Sequence, residues 1–401
     1  MSHHTHTEFQ PSSVRSMRFS AGAKSTLLVL AVIGSILTVT ALLKQPARAW
    51  PNFLVNYFYF LALSLFGAFF VALQHITNAY WSVTVRRFAE GLMSYLPVAL
   101  VLGVVLMFGT HHLYEWTHTE VVANDHLLHL KAPYLNMKFF VVRMILFFVI
   151  WIGLGLKMRK NSLAQDVDGD HKHTLANVRT AAVFLPLFGI SFSVASFDLL
   201  MSLEPHWFST IYGIYCFAGL VFSGFSLLAI LVIYGRRQGV LTDQMVNENH
   251  IHDIGKMMFA FTVFWAYIMF SQLMLQWYAN LPEETVYYIR RFNGSWWPYF
   301  WTLLIVHFAI PFFSLLPRGV KRNEKVLFGM AVFMLLAQWM DVYFLVMPVF
   351  FKDGPVFGWI ELGTFAAFAG VFGLSVIRFL ERVPAVPVKD PRLSQCLGHA
   401  Q

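Results

Sequence analysis

Residues 208–234 read FSTIYGIYCFAGLVFSGFSLLAILVIY, an unbroken stretch without one charged side chain. A helix needs roughly 20 mostly apolar residues to cross about 30 Å of hydrocarbon. The stretch is long enough, and it lacks the apolar–polar alternation of a barrel strand. Backbone amides find no water in lipid, so the segment must satisfy them internally, as a helix does. It stops at Arg236 and Arg237 and is preceded by Glu204-Pro205-His206-Trp207, residue types suited to a membrane–water boundary.

Moving outward from this run, the same pattern recurs at 25–43, 53–76, 91–109, 139–156, 179–201, 257–279, 297–316, 325–347 and 356–379. The chain of 401 residues is 57% apolar and 12% charged, and it holds 41 Phe and 12 Trp. A soluble protein carries about twice that share of charge. The fold class expected is therefore an all-α integral membrane protein of ten transmembrane helices. Residues 1–24 form an N-terminal segment, 25–380 the membrane domain and 381–401 a C-terminal tail. The apolar stretch Ser25–Leu43 before Ala47-Arg48-Ala49 imitates a secretory signal, but it is longer than a usual signal core, and we read it as a retained first helix.

The net charge of +8 does not point to nucleic acid, because the basic residues sit at the ends of apolar runs. Of the 29 Lys and Arg, 21 fall on the side of the chain termini and the even-numbered loops, against 7 on the other side. The positive-inside rule then places both termini in the cytoplasm, of a bacterial inner membrane if the source is bacterial. Two cysteines, Cys216 and Cys396, with no CxxC or CxxCH, supply neither an iron–sulfur cluster nor a covalent haem.

Ionisable groups are costly at bilayer depth, so each needs a partner or a task. Arg143, Asp198, Asp341 and Glu361 fall in the outer third of their helices, His75 near the inner end of the second helix, and His307 mid-way along the eighth. Gln272 and Gln276 lie one turn apart on the seventh, and Glu204 and His206 on the short link between the fifth and sixth. This set is the candidate proton-transfer route or outward-opening pocket. The alternative is that these groups pair with one another and hold helices together. Haem b needs two facing histidines at one depth, and His75 and His307 differ in depth. No metal centre and no classical catalytic constellation is expected.

Two polar stretches lie outside the helices. Residues 111–138 hold five histidines. There, His111, Glu115 and His118 would share a face if helical, as zinc ligands do, though a solvated or partner-docking loop is expected. Residues 158–173 carry Asp166, Asp168 and Asp170 but no closing Glu of a calcium loop, and read as a solvated linker. His3, His4 and His6 carry little weight. Asp198 and Asp341 each stand seven residues before a proline, an echo that suits two similar four-helix units, helices 2–5 and 6–9, with two flanking helices.

Three long segments carry a resemblance: QHITNAYWSVTVRRFAE at 74–90, SFDLLMSLEPHWFSTIYGIYCFAG at 196–219 and HDIGKMMFAFTVFWAYIMFSQLMLQWYANLPEET at 252–285, continuing through HFAIPFF at 307–313. They resemble the second quinone-binding-type membrane subunit of Alternative Complex III, within the polysulfide-reductase-like membrane subunit superfamily, over about residues 50–350. The resemblance implies a ten-helix fold of two four-helix bundles and no prosthetic group in this chain. It implies a place in a respiratory quinol:cytochrome c oxidoreductase. The partners implied are multihaem cytochrome c, an iron–sulfur subunit, a second related ten-helix subunit and small membrane subunits. Quinone or quinol binding and a proton-conducting role are implied as well. The competing readings are a stand-alone secondary transporter, against which the absence of paired mid-membrane Gly/Pro breaks argues, and a purely structural anchor.

Overall fold

The structure is a computed structural model and describes residues 14–399. His3, His4 and His6 lie outside the described residues. Ten helices are long and apolar enough to span a bilayer: α1 (Ala21–Lys44), α2 (Pro46–Ile76), α3 (Val83–Met107), α4 (Met137–Asp168), α5 (Lys172–Leu203), α6 (Tyr212–Arg237), α7 (Glu248–Ala279), α8 (Trp296–Leu315), α9 (Glu324–Phe350) and α10 (Trp359–Leu380). The described residues contain no strand, and the chain is an all-α multi-pass membrane protein.

Local sequence sets the helix starts. Asn136, Asn247 and Asn323 cap α4, α7 and α9, each accepting amide hydrogens of the first turn through its side chain. At α7 the His250 ring returns the contact to the Asn247 backbone, completing a capping box. Pro46 opens α2, where its missing N–H costs nothing. The helix therefore begins seven residues before the expected position 53, and Arg48 is helical.

The helices pack as α2–α5 and α6–α9, two four-helix groups, with α1 against α10 along one side. The first helices of the two groups, α2 and α6, are the most enclosed and cross each other at the middle. Gly224 permits that crossing: a Cβ there would lie 2.0 Å from the Phe66 ring. On α1 and α10, a Cβ on Gly34 would lie 2.3 Å from the Ala367 amide nitrogen, so the two backbones are in direct contact. Without a hydrophobic driving force between helices in lipid, such close backbone packing is what holds a pair together. Outward faces of α1, α4 and α7 carry exposed Leu, Val, Ile and Phe, as a lipid-facing surface requires.

An even number of spans puts the described N-terminal segment and the C-terminal tail on one face, here the terminal face, and the opposite one is the far face. Trp277, Tyr278, Trp297, Trp359 and Phe208 are exposed at far-face helix ends, where amphipathic rings suit the headgroup layer. Residues 158–173 correct an expectation. They are the long terminal-face ends of α4 and α5, not a solvated linker. Helix α4 runs to Asp168 and closes on Gly169, whose φ of 70° is the left-handed cap glycine adopts freely. Asp166 turns inward to Arg87, while Asp168 and Asp170 bind Lys172 and His173.

Candidate functional site

The polar residues singled out above occupy separate places. In the first bundle Arg143 and Asp198 form a two-pronged pair, Nε to Oδ2 at 2.7 Å and Nη2 to Oδ1 at 3.0 Å. The Tyr134 hydroxyl donates to the same carboxylate at 3.0 Å, and the Tyr134 and Phe139 rings flank the guanidinium. This carboxylate has its charge answered and its lone pairs occupied. Glu361 sits elsewhere, between α10 and α2, accepting Arg48 Nε at 2.9 Å and Asn52 Nδ2 at 2.8 Å. His75 lies at the terminal face beside Asn177, 3.3 Å away, and Arg392.

Asp341 is different. It sits on α9 in the core of the second bundle with no cation beside it. Three side chains converge there: the Tyr215 hydroxyl donates to Oδ1, while Trp265 Nε1 at 3.3 Å and Gln338 Nε2 at 3.0 Å donate to Oδ2. Gln338 Oε1 in turn faces His307 Nε2 at 2.9 Å. The His307 ring is sandwiched between Phe222 and Trp265, at 4.0 and 3.8 Å between centroids, and is fully buried. Hydrogen bonds thus join Tyr215, Asp341, Gln338 and His307 in one buried chain across α6, α9 and α8.

The backbone around His307 is irregular. Residues Ile305–Ala309 form a π-helical segment inside α8, just before Pro311. Pro311 has no N–H, so the carbonyl of His307 loses its ordinary helical donor. His307 Nδ1 also has no hydrogen-bond partner among the described residues. π-Segments within helices are frequent at functional sites. Gly219 makes room for Gln338: a Cβ there would lie 2.5 Å from its amide.

The chain is bordered toward the far face by a cavity of about 20 Å3, lined among others by Tyr215, Trp265, Gln272, Tyr287 and Tyr288. Gln272 bridges Ser209, at 3.5 Å, and the Tyr288 hydroxyl, at 3.4 Å. Its neighbour Gln276, oriented by its surroundings, accepts from Trp207 Nε1 at 3.3 Å and donates to the Glu284 carbonyl at 3.1 Å. Beyond lies a groove of about 570 Å3 on the far face, with Glu204, His206, Trp207, Arg290, Lys131 and Lys352 among its lining. Trp207 stacks on Tyr287 at 3.9 Å, and these two rings form the wall between groove and cavity. Glu204 takes Arg290 at 2.7 Å and buried Arg291 at 2.8 Å. The Arg291 guanidinium covers the Tyr287 ring; burial pushes its pKa down, but the Glu204 charge outweighs that and leaves it raised. His206 faces Asp125 across the groove mouth at 2.6 Å. Asp125 itself is held below the usual carboxylate range, first by the Leu128 amide and then by His206.

The His-rich stretch breaks into short helical turns. His111 and His118 stack at 3.8 Å, and His118 Nε2 meets the His111 carbonyl; Glu115 does not join them. Among the described residues, no three His, Cys, Asp or Glu side chains are grouped to hold a metal ion. His75 and His307 do not face each other.

Sequence reasoning missed Tyr215, Trp265, Gln338, Arg48, Arg290 and Arg291. Gln338 carried a readable signal, a polar amide one turn before Asp341 in an apolar run. Tyr215 carried none, being one of 15 tyrosines. No protein-family model and no curated protein matches the chain.

Proposed function

We propose that this chain is a membrane subunit of a respiratory quinol:electron-acceptor oxidoreductase, in which the second bundle carries protons between a far-face quinol-type groove and a buried carboxylate. The observation that carries this reading is the hydrogen-bonded chain Tyr215–Asp341–Gln338–His307. A carboxylate joined by hydrogen bonds to a hydroxyl and, through an amide, to an imidazole can take up a proton and pass it on. An imidazole on the same chain, with one ring nitrogen unpaired, is a natural second station.

The groove supports the other half of the reading. Its lining sets apolar Leu127, Leu203, Trp207, Phe208, Val286 and Val349 beside polar Glu115, Lys131, Glu204, His206, Glu283, Arg290 and Lys352. A cleft that combines apolar walls with convergent polar groups suits a small amphiphile such as a quinol. Redox centres would come from partners: multihaem cytochrome c, an iron–sulfur subunit and a second related membrane subunit. With the orientation read from the basic residues, the far face is periplasmic and the membrane is the bacterial inner membrane.

The first bundle acts differently in this account. Its Arg143–Asp198 pair is a fixed brace, and the echo of aspartates at corresponding positions of α5 and α9 marks one locked copy and one titratable copy. A transporter reading gains little, because the two spans irregular at mid-length, α8 with its π-segment at Ile305–Ala309 and α3 with its 3-10 turn at Met93–Tyr95, do not stand at corresponding positions of the two groups.

The test is Asp341→Asn in the assembled complex, with quinol oxidation and proton release followed in liposomes. We expect intact assembly and at least about a ten-fold loss of proton release or turnover, the lower end for a lost proton-transfer group. Wild-type turnover and proton release would refute the role of Asp341.

A further inference from the structure

The tail after α10 runs back across the terminal face and touches both bundles. Ala385 N donates to the Arg15 carbonyl at 3.1 Å, and Val388 N donates to Asp166 of α4 at 3.0 Å. Asp390, buried over α3, accepts Arg86 Nη2 at 2.6 Å. Arg392 Nη1 reaches Asn78 at 3.1 Å in the turn between α2 and α3. Cys396 donates to the Trp81 carbonyl at 3.2 Å, and its sulfur lies 3.4 Å from both Thr84 and His250. At the last described residue, the His399 carbonyl accepts Asn247 Nδ2 at 2.8 Å and its ring meets Asp253 at 2.7 Å, both at the start of α7.

Beneath this segment lies a buried ionic cluster. Arg86, Arg87 and Glu90 are fully buried, with Glu90 2.6 Å from Arg87 and Asp166 paired to the same arginine. Several atoms in and around it lack a hydrogen-bond partner among the described residues: Arg86 Nε and Glu90 Oε1, which face each other at 3.7 Å, and Arg86 Nη1, Arg87 Nε, Gln74 Oε1 and Ser82 Oγ. A mixture of buried donors and acceptors lacking partners is the setting that structural water satisfies.

We propose that residues 383–399 are a strap that covers a hydrated ionic cluster at the terminal face and ties the two bundles together there. The inference stands on the tail contacts and holds whichever function the chain carries. A cluster of this kind, if uncovered, would admit water and protons to the ends of α2, α3 and α4. Such a cover is what a membrane protein needs where polar groups come that deep.

Cys396 is a built-in reporter, since the only other cysteine, Cys216, lies within α6. In full-length protein carrying Cys216→Ala, we expect a water-soluble maleimide to label Cys396 at least about ten-fold more slowly in the folded state than after denaturation. The double variant Asp390→Asn/Arg392→Gln removes one charge of each sign from the tail and leaves Arg86 and Arg87 balanced by Glu90 and Asp166 beneath it. It should label at least about ten-fold faster than the parent, the scale of one lost charged hydrogen bond. Amide exchange should then rise in both 83–92 and 247–256 while 282–291 stays unchanged. A parent thiol that labels at the denatured rate would overturn the strap. So would a variant whose thiol opens while 83–92 and 247–256 keep their protection, because the tail would then be a passenger. A protease site inserted between Arg382 and Val383, and cut after purification, removes the folding question. The cut tail should remain bound to the parent protein and leave the double variant; release from the parent also overturns the proposal.

Discussion

Arg143–Asp198 and Asp341 place two buried carboxylates at related positions of two helix groups and give them opposite behaviour. Replacing Asp198 by Asn leaves the Arg143 guanidinium buried without its counter-charge, and breaking a buried pair in that way costs about 3–5 kcal/mol. Asp198→Asn should therefore lower the yield of folded protein and its melting temperature sharply, as read by thermal unfolding in detergent. Asp341→Asn strips no cation of its partner. It keeps the shape, and Asn Oδ1 accepts from Tyr215 as the acid did; its amide nitrogen meets Gln338, whose amide can turn to accept, and costs Trp265 one hydrogen bond, so its melting temperature should fall far less than that of Asp198→Asn. Equal destabilisation by the two substitutions would mean that Asp341 is also a structural ion. What the sequence offered at this scale was the list of costly residues. Pairing was hidden because the partners are far apart in the chain: Arg48 reaches Glu361 from the opening turns of α2, and Arg291 reaches Glu204 from the Pro282–Arg291 helix.

At the scale of elements, length and uniform hydrophobicity located every span, since no other structure satisfies such runs in lipid. Helix ends were less legible. The polar ends of α4 and α5 look like a linker by composition, yet they stay helical because Asp166 finds Arg87 and Gln165 finds Thr174. Such tertiary partners are not visible in a local window. The α1–α10 pair gives a direct test of close packing. A Cβ on Gly370 would lie 2.4 Å from the Ala31 backbone nitrogen, so Gly370→Leu should separate the helices and cost about 1–3 kcal/mol or more. Gly153→Leu, on an open face of α4, should leave unfolding unchanged. The strap has its own pH signature. Burial pushes the Asp390 carboxyl up, but Arg86 and Arg392 outweigh it and hold its pKa well below the usual range. A carboxyl with a lowered folded pKa contributes stability above its unfolded pKa, about 3.9, and loses it as pH falls toward the folded value. The nicked tail should thus stay bound from pH 7 down to about 5 and loosen only in stronger acid, which size-exclusion at each pH would record.

For the whole molecule, the echo between α5 and α9 anticipated the two four-helix groups, and the contacts among α2–α5 and α6–α9 follow that division. The sequence could not reveal that α8 breaks at His307 or that a groove opens between the groups, because both depend on how faces meet. Orientation is open to test with reporter fusions. Those after Gly169, Gly239 and Arg322 should read cytoplasmic, and those at Asn124, Asn293 and Lys352 periplasmic; a reversed pattern would exchange the two faces. The function we propose places this chain inside a quinol-oxidising assembly whose redox centres lie on other subunits. The most direct measurement is affinity purification of the tagged chain from its native membrane in mild detergent, followed by an absorption spectrum and a quinol-oxidation assay. The account predicts c-type haem in fixed proportion to this chain, reduced on addition of quinol. Purification of the chain alone, without haem and without quinol oxidation, would contradict it.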